Sequence, residues 1–329
     1  MADLVLALAT SHSPVLGSAV EDFALHGERD KANPGLLDKE GRPCAYVDLL
    51  AAADPTIADA LEPDVIVRRV EACQQGIAKL AGMLEQAAPD VLIIVGDDQQ
   101  EQFLEDNMPA MLVYWGDTIE NDVLPLPADA PSYWRRARSQ FHEEHARRTY
   151  PVDALHGLHL IEGLVDRGFD ISHSRVLPRP SGEGHAFGFV HRRLMGDQPI
   201  PIIPVVLNTY FPPNQPTPER CSDLGRAIAQ TVAGWEDGAR VAIIASGGLS
   251  HFTIDEDLDR GIMTAIRDRD GDALRAIPRR KLNSGNSEIR NWITVAAAAQ
   301  SLTPAWQHYE PCYRTPAGTG CGIGFAIWN

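Results

Sequence analysis

The sequence lacks the features that would place the chain in a membrane, in an oxidising compartment or on a nucleic acid. No apolar run reaches the roughly 18–20 residues of a membrane span, and the short run at 4–8 has no basic flank, so we expect no signal peptide. The five cysteines are scattered without a CxxC pair, which predicts reduced thiols in the cytoplasm. With 29 basic against 45 acidic residues, the net charge of −16 argues against nucleic-acid and anionic-membrane partners.

Internal repeats, low-complexity segments and obvious linkers are also missing from the 329 residues. Short apolar β-branched runs alternate instead with helical patterns, which predicts one α/β domain spanning 1–329. We expect a mixed, largely parallel central sheet flanked by helices. The predicted strands lie at 4–10, 91–95, 111–115, 170–177, 200–207 and 241–244, with a last strand ending at 328. The predicted helices lie near 63–84, 131–167, 186–195, 218–235, 256–268 and 289–300.

The stretch 20–85 departs from this alternation. Its first part contains several Pro and Gly breakers, whereas the part after Pro63 carries one apolar stripe at helical spacing. Long irregular stretches inside a domain usually have a function or move. We therefore interpret 20–85 as a lid over the site or as an interface between subunits.

Polar residues follow three of the predicted strands. They are SHSP at 11–14, GDDQQE at 96–101 and SGGLSH at 246–251. Open α/β folds place ligands at the carboxyl ends of their strands, so we expect these segments to share one edge of the sheet. His251 is our first candidate for a general acid or base, because the usual pKa of histidine lies near neutrality. The alternative is that Gly247 and Gly248 form a simple turn and that His251 is a surface residue.

Two further residues stand where predicted helices begin. His185 follows Gly-Glu-Gly at the start of one helix, where the positive helix end would lower its pKa. Glu288 follows Ser-Gly-Asn-Ser at the start of another. The histidines within 131–167 lack an HExxH frame, so we do not predict them as metal ligands. They are His142, His145, His156 and His159.

Five short motifs occur in one order along the chain. They are Ser-His-Ser-Pro at 11–14, Gly-Asp-Asp-Gln at 96–99, Gly-His at 184–185, Ser-Gly-Gly-Leu-Ser-His at 246–251 and Ser-Gly-Asn-Ser-Glu at 284–288. The series resembles the class III extradiol ring-cleavage dioxygenases, the family of the protocatechuate 4,5-dioxygenase catalytic subunit. The resemblance runs from the N-terminus to the last strand, apart from 20–85. It implies an Fe(II) that is chelated by a catechol, O2 as the second substrate, and ring cleavage next to the diol.

The resemblance assigns roles by position in the motifs. His12 and Glu288 become metal ligands, and His251 becomes the acid/base residue. His185 becomes a catalytic residue that contacts the substrate or its hydroxyl. Three protein ligands in a facial triad leave open positions for a bidentate diol and for O2. Ser250 and Tyr210 are further predicted substrate contacts.

The chain departs from the family at Gln99, where the second histidine ligand is expected. An amide oxygen binds hard cations, but it is neutral and a poorer donor to Fe(II) than imidazole. Three alternatives follow. Gln99, Asp98 or Glu101 completes a site with one histidine and an altered metal preference. Another histidine moves in, or the site holds no iron and uses His12, His185 and His251 for different chemistry.

The predicted function is that of a cytoplasmic, non-haem metal-dependent extradiol ring-cleaving dioxygenase, an oxidoreductase acting on a catecholic aromatic acid. The alternatives are a metal-dependent hydrolase or lyase on the same fold, and a catalytically silent partner subunit, because fold does not fix reaction. Fe(II) is the expected cofactor, with another divalent metal as the alternative. The expected partners are a small aromatic substrate and O2. We also expect a homo-oligomer, with the site capped by a small accessory subunit or by the 20–85 stretch.

Overall fold

A mixed nine-stranded sheet forms the centre of the protein, whose computed structural model describes residues 1–124, 126–197 and 199–329. The strands are β1 (Asp3–Thr10), β2 (Val91–Asp97), β3 (Met111–Tyr114), β4 (Thr118–Asn121), β5 (Arg148–Pro151), β6 (Ser172–Ser174), β7 (Ile202–Leu207), β8 (Arg240–Ser246), β9 (His251–Thr253), β10 (Pro304–Tyr313) and β11 (Thr319–Trp328). The helices are α1 (Asp22–Lys31), α2 (Tyr46–Ala52), α3 (Pro63–Ala87), α4 (Ser132–Ser139), α5 (Ala154–Asp166), α6 (His185–Arg193), α7 (Pro218–Val232), α8 (Glu256–Arg267), α9 (Gly271–Arg275) and α10 (Ile289–Ala298).

The centre of the sheet is parallel and its edges are mixed. The strand order is β10-β11-β1-β8-β2-β7-β3-β6, and β9 pairs with β11. Strand β8 lies between β1 and β2 and runs parallel to both, while β11 and β10 continue the sheet antiparallel to β1. The predicted fold class, an α/β domain with a mixed sheet, is therefore confirmed.

Helices cover both faces of this sheet and bury two separate apolar cores. Central strands buried on both faces read as continuous apolar runs, as in Val91–Val95. Alternate residues of that run, Ile93 and Ile94, belong to the cores on opposite faces. One core includes side chains of α5, α7, α8 and α10, and the other includes side chains of α3 and α6.

The 20–85 stretch divides into two parts. Helix α3 packs on the sheet through Cys73, Ile77, Leu80 and Leu84, as its apolar stripe predicted. A short antiparallel bridge joins Leu37 and Pro43, and Leu37 lines a small cavity together with His251. The lid or interface therefore stays a prediction for the residues before α3 only, because α3 is part of the layer that covers the sheet.

Three predictions about single elements were wrong or incomplete. The segment 131–167 is not one helix, because β5 separates α4 from α5 and pairs with β4 in a second, two-stranded sheet. The strand expected at 170–177 is reduced to β6, and β10 was not predicted. In the described part of the chain, no helix combines the length and the apolar character needed to cross a membrane.

Candidate metal centre and its surroundings

Three neighbouring parallel strands bring the polar residues of the site together at their carboxyl ends. His12 lies two residues beyond the end of β1, Ser246 is the last residue of β8, and Asp97 is the last residue of β2. Register pairing of Thr10 with Ser246 aligns two of these ends. Glu288 approaches the same edge from a short 3-10 turn that leads into α10. The edge predicted from the sequence is therefore the edge at which these residues meet.

Four side chains form a cluster that could hold a metal ion. They are His12, Asp97, His185 and Glu288, and one potential ligand atom from each lies within 4.8 Å of the others. His12 Nε2 is 3.1 Å from Glu288 Oε2 and 4.0 Å from Asp97 Oδ1. His185 Nε2 is 4.0 Å from Asp97 Oδ2. The cluster is nearly sealed, because the His185 side chain is only 12% exposed and the other three are less exposed.

The hydrogen bonds of His12 leave one ring nitrogen free for a cation. The Ser246 hydroxyl donates to the Ala186 carbonyl at 2.7 Å, so its oxygen accepts from His12 Nδ1–H at 3.0 Å. The neutral ring therefore carries its lone pair on Nε2, inside the cluster. Burial lowers the pKa of His12, although Glu288 opposes this effect, and a neutral imidazole is the form that binds metals.

His185 is oriented in a similar way by Glu101. Its Nδ1 donates to Glu101 Oε2 at 2.8 Å, and its backbone N–H donates to Glu101 Oε1 at 3.0 Å. The predicted lowering of the His185 pKa was wrong. Burial alone lowers this pKa, but Glu101, with smaller contributions from Asp97 and Glu288, outweighs burial and raises it to about 10. These carboxylates favour a positive charge at Nε2 more strongly than the helix end opposes one.

Three buried atoms of the cluster lack hydrogen-bond partners in the described residues. They are His12 Nε2, His185 Nε2 and Asp97 Oδ2. Buried polar atoms are normally paired, because an unpaired one loses its hydration without compensation. A divalent cation would satisfy the lone pair of His12 together with the two carboxylates that face it. The donor set therefore fits a metal ion.

Glu288 contacts residues from several segments that border the site. Its Oε1 lies 3.2 Å from His251 Nε2 and accepts from Gln99 Nε2 at 3.0 Å, while Oε2 accepts from the Gly248 backbone at 2.5 Å. Burial alone raises the pKa of Glu288, but His251 and His12 outweigh it and hold this pKa well below its usual value. Glu288 is thus a fixed carboxylate, and Gln99 borders it through its amide nitrogen.

His251 is held as the imidazolium partner of Glu288. Its Nδ1 donates to the Leu249 carbonyl at 2.8 Å, so Nε2 is the nitrogen that faces Glu288. Burial lowers the pKa of His251, but Glu288 outweighs burial and raises it to about 10. The structure therefore places His251 beside Glu288, and its catalytic role stays a prediction.

The backbone around His251 is shaped to admit its ring. A Cβ atom on Gly248 would lie 2.2 Å from His251 Cε1, and one on Gly285 would lie 2.5 Å from His251 Cγ. Phe252 and Ser284 adopt positive φ angles of 64° and 51°, which non-glycine residues rarely do. Strained backbone conformations of this kind are common at functional sites, where the packing of the surrounding structure stabilises them.

The two predicted substrate contacts lie in different surroundings. The Tyr210 hydroxyl is 3.5 Å from Ser284 Oγ, and burial raises its pKa to about 12, with Glu288 and Asp97 adding to the effect. The Ser250 hydroxyl is fully buried and donates to Asp259 at 2.6 Å. Both substrate roles stay predictions, and Ser250 has its hydroxyl proton engaged elsewhere.

Sequence reasoning missed Asp97, Glu101 in its actual role, and Asn291. Asn291 Nδ2 donates to Asp97 Oδ1 at 3.2 Å and to the Ser246 carbonyl at 2.9 Å, which ties α10 to two strand ends. Asp98, one of the alternatives for the missing ligand, instead accepts backbone N–H groups of residues 101–103. Asp97 belongs to the acidic segment that the sequence placed at this edge, whereas the family resemblance implies a ligand at the position of Gln99.

Comparison with known proteins agrees with this site. Residues 156–300 match the family described as "Catalytic LigB subunit of aromatic ring-opening dioxygenase". The chain is also similar to a 2,3-dihydroxyphenylpropionate/2,3-dihydroxicinnamic acid 1,2-dioxygenase from Comamonas testosteroni, with 27% identity over 180 residues. The aligned part is 55% of this chain and 49% of that protein, so the chain spans about half the length of this curated relative. The resemblance to the class III extradiol ring-cleavage dioxygenases, indicated by the motifs, is thereby confirmed over the part that carries His185, His251 and Glu288.

Proposed function

We propose that this protein is a non-haem metal-dependent extradiol dioxygenase that cleaves the ring of a catecholic aromatic acid. The observation that carries the proposal is the buried cluster of His12, Asp97, His185 and Glu288, in which three ligand atoms lack other partners. His12 and Glu288 are the metal ligands that the family resemblance implies. Fe(II) is the proposed ion, and when bound it would supply the redox chemistry between a chelated diol and O2.

His251 is the proposed proton carrier. Its Nδ1 donates to the Leu249 carbonyl, so only Nε2 can give a proton to the substrate and take it back. The rigid position between two glycines keeps that nitrogen against Glu288. A general acid or base acts efficiently only within hydrogen-bond reach of the proton it moves, and the position of Nε2 3.2 Å from Glu288 supports this role for a substrate bound at the cluster.

The walls of the site suit a flat aromatic substrate. The rings of Phe141 and Phe189 lie 6.4 Å and 6.3 Å from the ring of His12, centroid to centroid. Lys281 lines a small cavity together with His251 and Ser284, where its ammonium group is paired with Asp255 at 3.2 Å. The similarity to a dioxygenase named for 2,3-dihydroxyphenylpropionate supports a catechol that bears an acid group.

Metal content and oxygen consumption test the proposal together. We expect the purified protein to retain stoichiometric divalent metal and, with Fe(II), to consume O2 in the presence of a catecholic acid while a ring-cleaved product forms. His12→Ala and Glu288→Ala should each abolish metal retention, because each removes a ligand, and should leave thermal unfolding cooperative. His145→Ala is the matched control, since that side chain is 93% exposed.

The other outcomes separate the alternatives. Metal retained in both ligand variants would remove the assignment of His12 and Glu288. Metal retention without O2 uptake on any catechol would favour a metal-dependent hydrolase or lyase. A parent protein without metal and without activity would favour a silent partner subunit.

The cysteines bear on the compartment in which the protein works. All five cysteines are free, and Cys73 and Cys312 remain thiols with their sulfur atoms 4.0 Å apart. This supports a reducing compartment, for which we propose the cytoplasm. We further propose a homo-oligomer, with or without a small accessory subunit, and size-exclusion chromatography with light scattering tests it.

A further inference from the structure

We propose that Asp97 replaces, as a metal ligand, the imidazole that Gln99 cannot supply, so that His12, Asp97 and Glu288 hold the divalent ion. This inference rests on the proposed function, because it assumes that the cluster binds a metal. It assigns to Gln99 a different task, which is to position Glu288.

The contact of Gln99 explains why it is not the ligand. A carboxylate accepts hydrogen bonds only, so the Gln99 atom 3.0 Å from Glu288 Oε1 must be the amide nitrogen. An NH2 group has no lone pair to offer a cation. Gln99 therefore holds the Glu288 carboxylate from outside, as outer partners of metal ligands commonly do.

Asp97, unlike Gln99, directs an oxygen atom with free lone pairs into the cluster. Its carboxylate is fully buried, Oδ1 accepts one bond from the neutral amide of Asn291, and Oδ2 is among the unpartnered atoms. A second buried carboxylate, Glu288, belongs to the same cluster. Glu288 has several donors, but in the described residues Asp97 has only the Asn291 amide, and a buried carboxylate paired so poorly is costly unless a cation compensates it.

The distances agree with a shared ion. Protein nitrogen and oxygen ligands bind such ions at about 2.0–2.2 Å, which places pairs of donor atoms about 3–4 Å apart. His12 Nε2 lies 3.1 Å from Glu288 Oε2 and 4.0 Å from Asp97 Oδ1. Asp97 also ends a central parallel strand that is paired on both sides, so its position is fixed by the sheet.

His185 is left as a substrate contact by this arrangement. A third protein ligand completes a facial set and leaves the other positions of a six-coordinate ion open, whereas a fourth would take one of them. Glu101 already holds His185 beside the cluster, because it accepts from both the backbone N–H and the ring Nδ1 of that residue. His185 can therefore meet a substrate hydroxyl without binding the ion.

A carboxylate ligand in place of an imidazole should change the metal preference of the site. Carboxylates are hard ligands that suit Mn(II), whereas imidazole adds more to the affinity for Fe(II). A site with one histidine and two carboxylates should bind Mn(II) with an affinity closer to that for Fe(II) than a site with two histidines does. Replacing Asp97 by a neutral residue should weaken both ions.

The test uses the full-length metal-free protein and Mn(II) as the probe. Binding is followed by the loss of the EPR signal of free Mn(II), and Fe(II) affinity is measured by anaerobic competition with a chromophoric chelator. We expect Asp97→Asn to weaken Mn(II) binding by more than about 100-fold, beyond the effect typical of outer partners. Asp98→Asn, the same change at the next residue, should stay within about threefold of the parent protein. If Asp97→Asn does not fold cooperatively, Asp97→Ser carries the same prediction.

A rescue variant makes the test specific. In the Asp97→Asn background, Gln99→His should restore metal binding and shift the preference towards Fe(II), because it returns an imidazole to the position expected in the family. Asp97→Asn with near-parental Mn(II) affinity would overturn the inference, as would equal losses in Asp97→Asn and Asp98→Asn. A parent protein that binds neither ion would instead refute the metal dependence in the proposed function, which the His12 and Glu288 variants address separately.

Discussion

The imidazole of His251 lies between Gly248 and Gly285 and against Glu288, and at the scale of single residues it gives the most direct test of the chemistry. We expect His251→Gln to lower kcat by about 10²–10⁴, the usual contribution of a well-placed general acid or base. Metal content should be unchanged, because His251 is not among the clustered ligands. Steady-state O2 uptake and metal analysis of the same preparation measure both.

His145→Gln is a matched control for this change, because its side chain is 93% exposed. Turnover of His251→Gln within severalfold of the parent would show that His251 only supports the turn. Loss of metal from the variant would make it a ligand instead.

At the residue scale, Asp97 shows which features of the site follow from the sequence and which do not. In β2, every second residue faces the same side of the sheet, so Asp97 shares a face with Ile93 and Val95. Those two residues belong to the core that includes Ile289 and Trp292 of α10. Alternation along β2 therefore directs Asp97 towards α10, but the contact with His12 depends on strand order, which a single sequence does not reveal.

At the scale of elements, variants in helix α3 test whether the 20–85 stretch unfolds together with the core. Leu80 is fully buried against the sheet, whereas Gly82 in the same helix has open space where a Cβ would lie. We expect Leu80→Ala to reduce the free energy of unfolding by about 2–5 kcal/mol. Gly82→Ala should raise it by about 0.5–1 kcal/mol, because alanine loses less backbone entropy in a helix.

Urea unfolding followed by circular dichroism measures both changes. A lid that opened independently of the core would leave the main unfolding transition unchanged in both variants. Opposite shifts of one cooperative transition are expected instead, because α3 packs directly on the sheet.

The elements that the sequence predicted well are those in which local pattern and packing agree. Helix α3 has one apolar stripe, and that stripe is the face it buries. Strand β2 is a continuous apolar run up to Val95, and all of its residues are buried. The segment 131–167 was misassigned because its mixed charges suited a solvated helix. Pairing of β5 with β4, which is remote in sequence, overrode that local preference.

At the scale of the whole molecule, one sheet edge organises the site. The strands β1, β8 and β2 are widely separated in the sequence, and their parallel alignment brings His12, Ser246 and Asp97 to one place. The sequence predicted the common edge because carboxyl ends of parallel strands meet there. It did not predict that His12 and Asp97 end strands on either side of β8, since this order arises from long-range pairing.

The stability of the whole molecule should depend on pH through His156, which joins α5 to the loop before β8. Its Nδ1 and Nε2 each lie 2.7 Å from a carboxylate, that of Asp153 and that of Asp237. Only the protonated ring donates to both. Burial alone lowers the pKa of His156, but the two carboxylates outweigh it and raise the pKa. The other neighbouring rings are Trp235, at 4.3 Å between centroids, and His159, at 6.1 Å.

A raised pKa in the folded state means that the stabilisation is complete below the unfolded pKa of about 6.5 and is lost as the pH rises through the folded value. We therefore expect His156→Gln to cost about 1.5–3 kcal/mol, the range for hydrogen bonds to charged groups, between about pH 5 and 6.5. The cost should shrink at higher pH. Unfolding free energies of the parent and the variant across this range measure the difference, with His173→Gln as the control. A cost that stays constant with pH would show that His156 stabilises the fold by packing alone, without its charge.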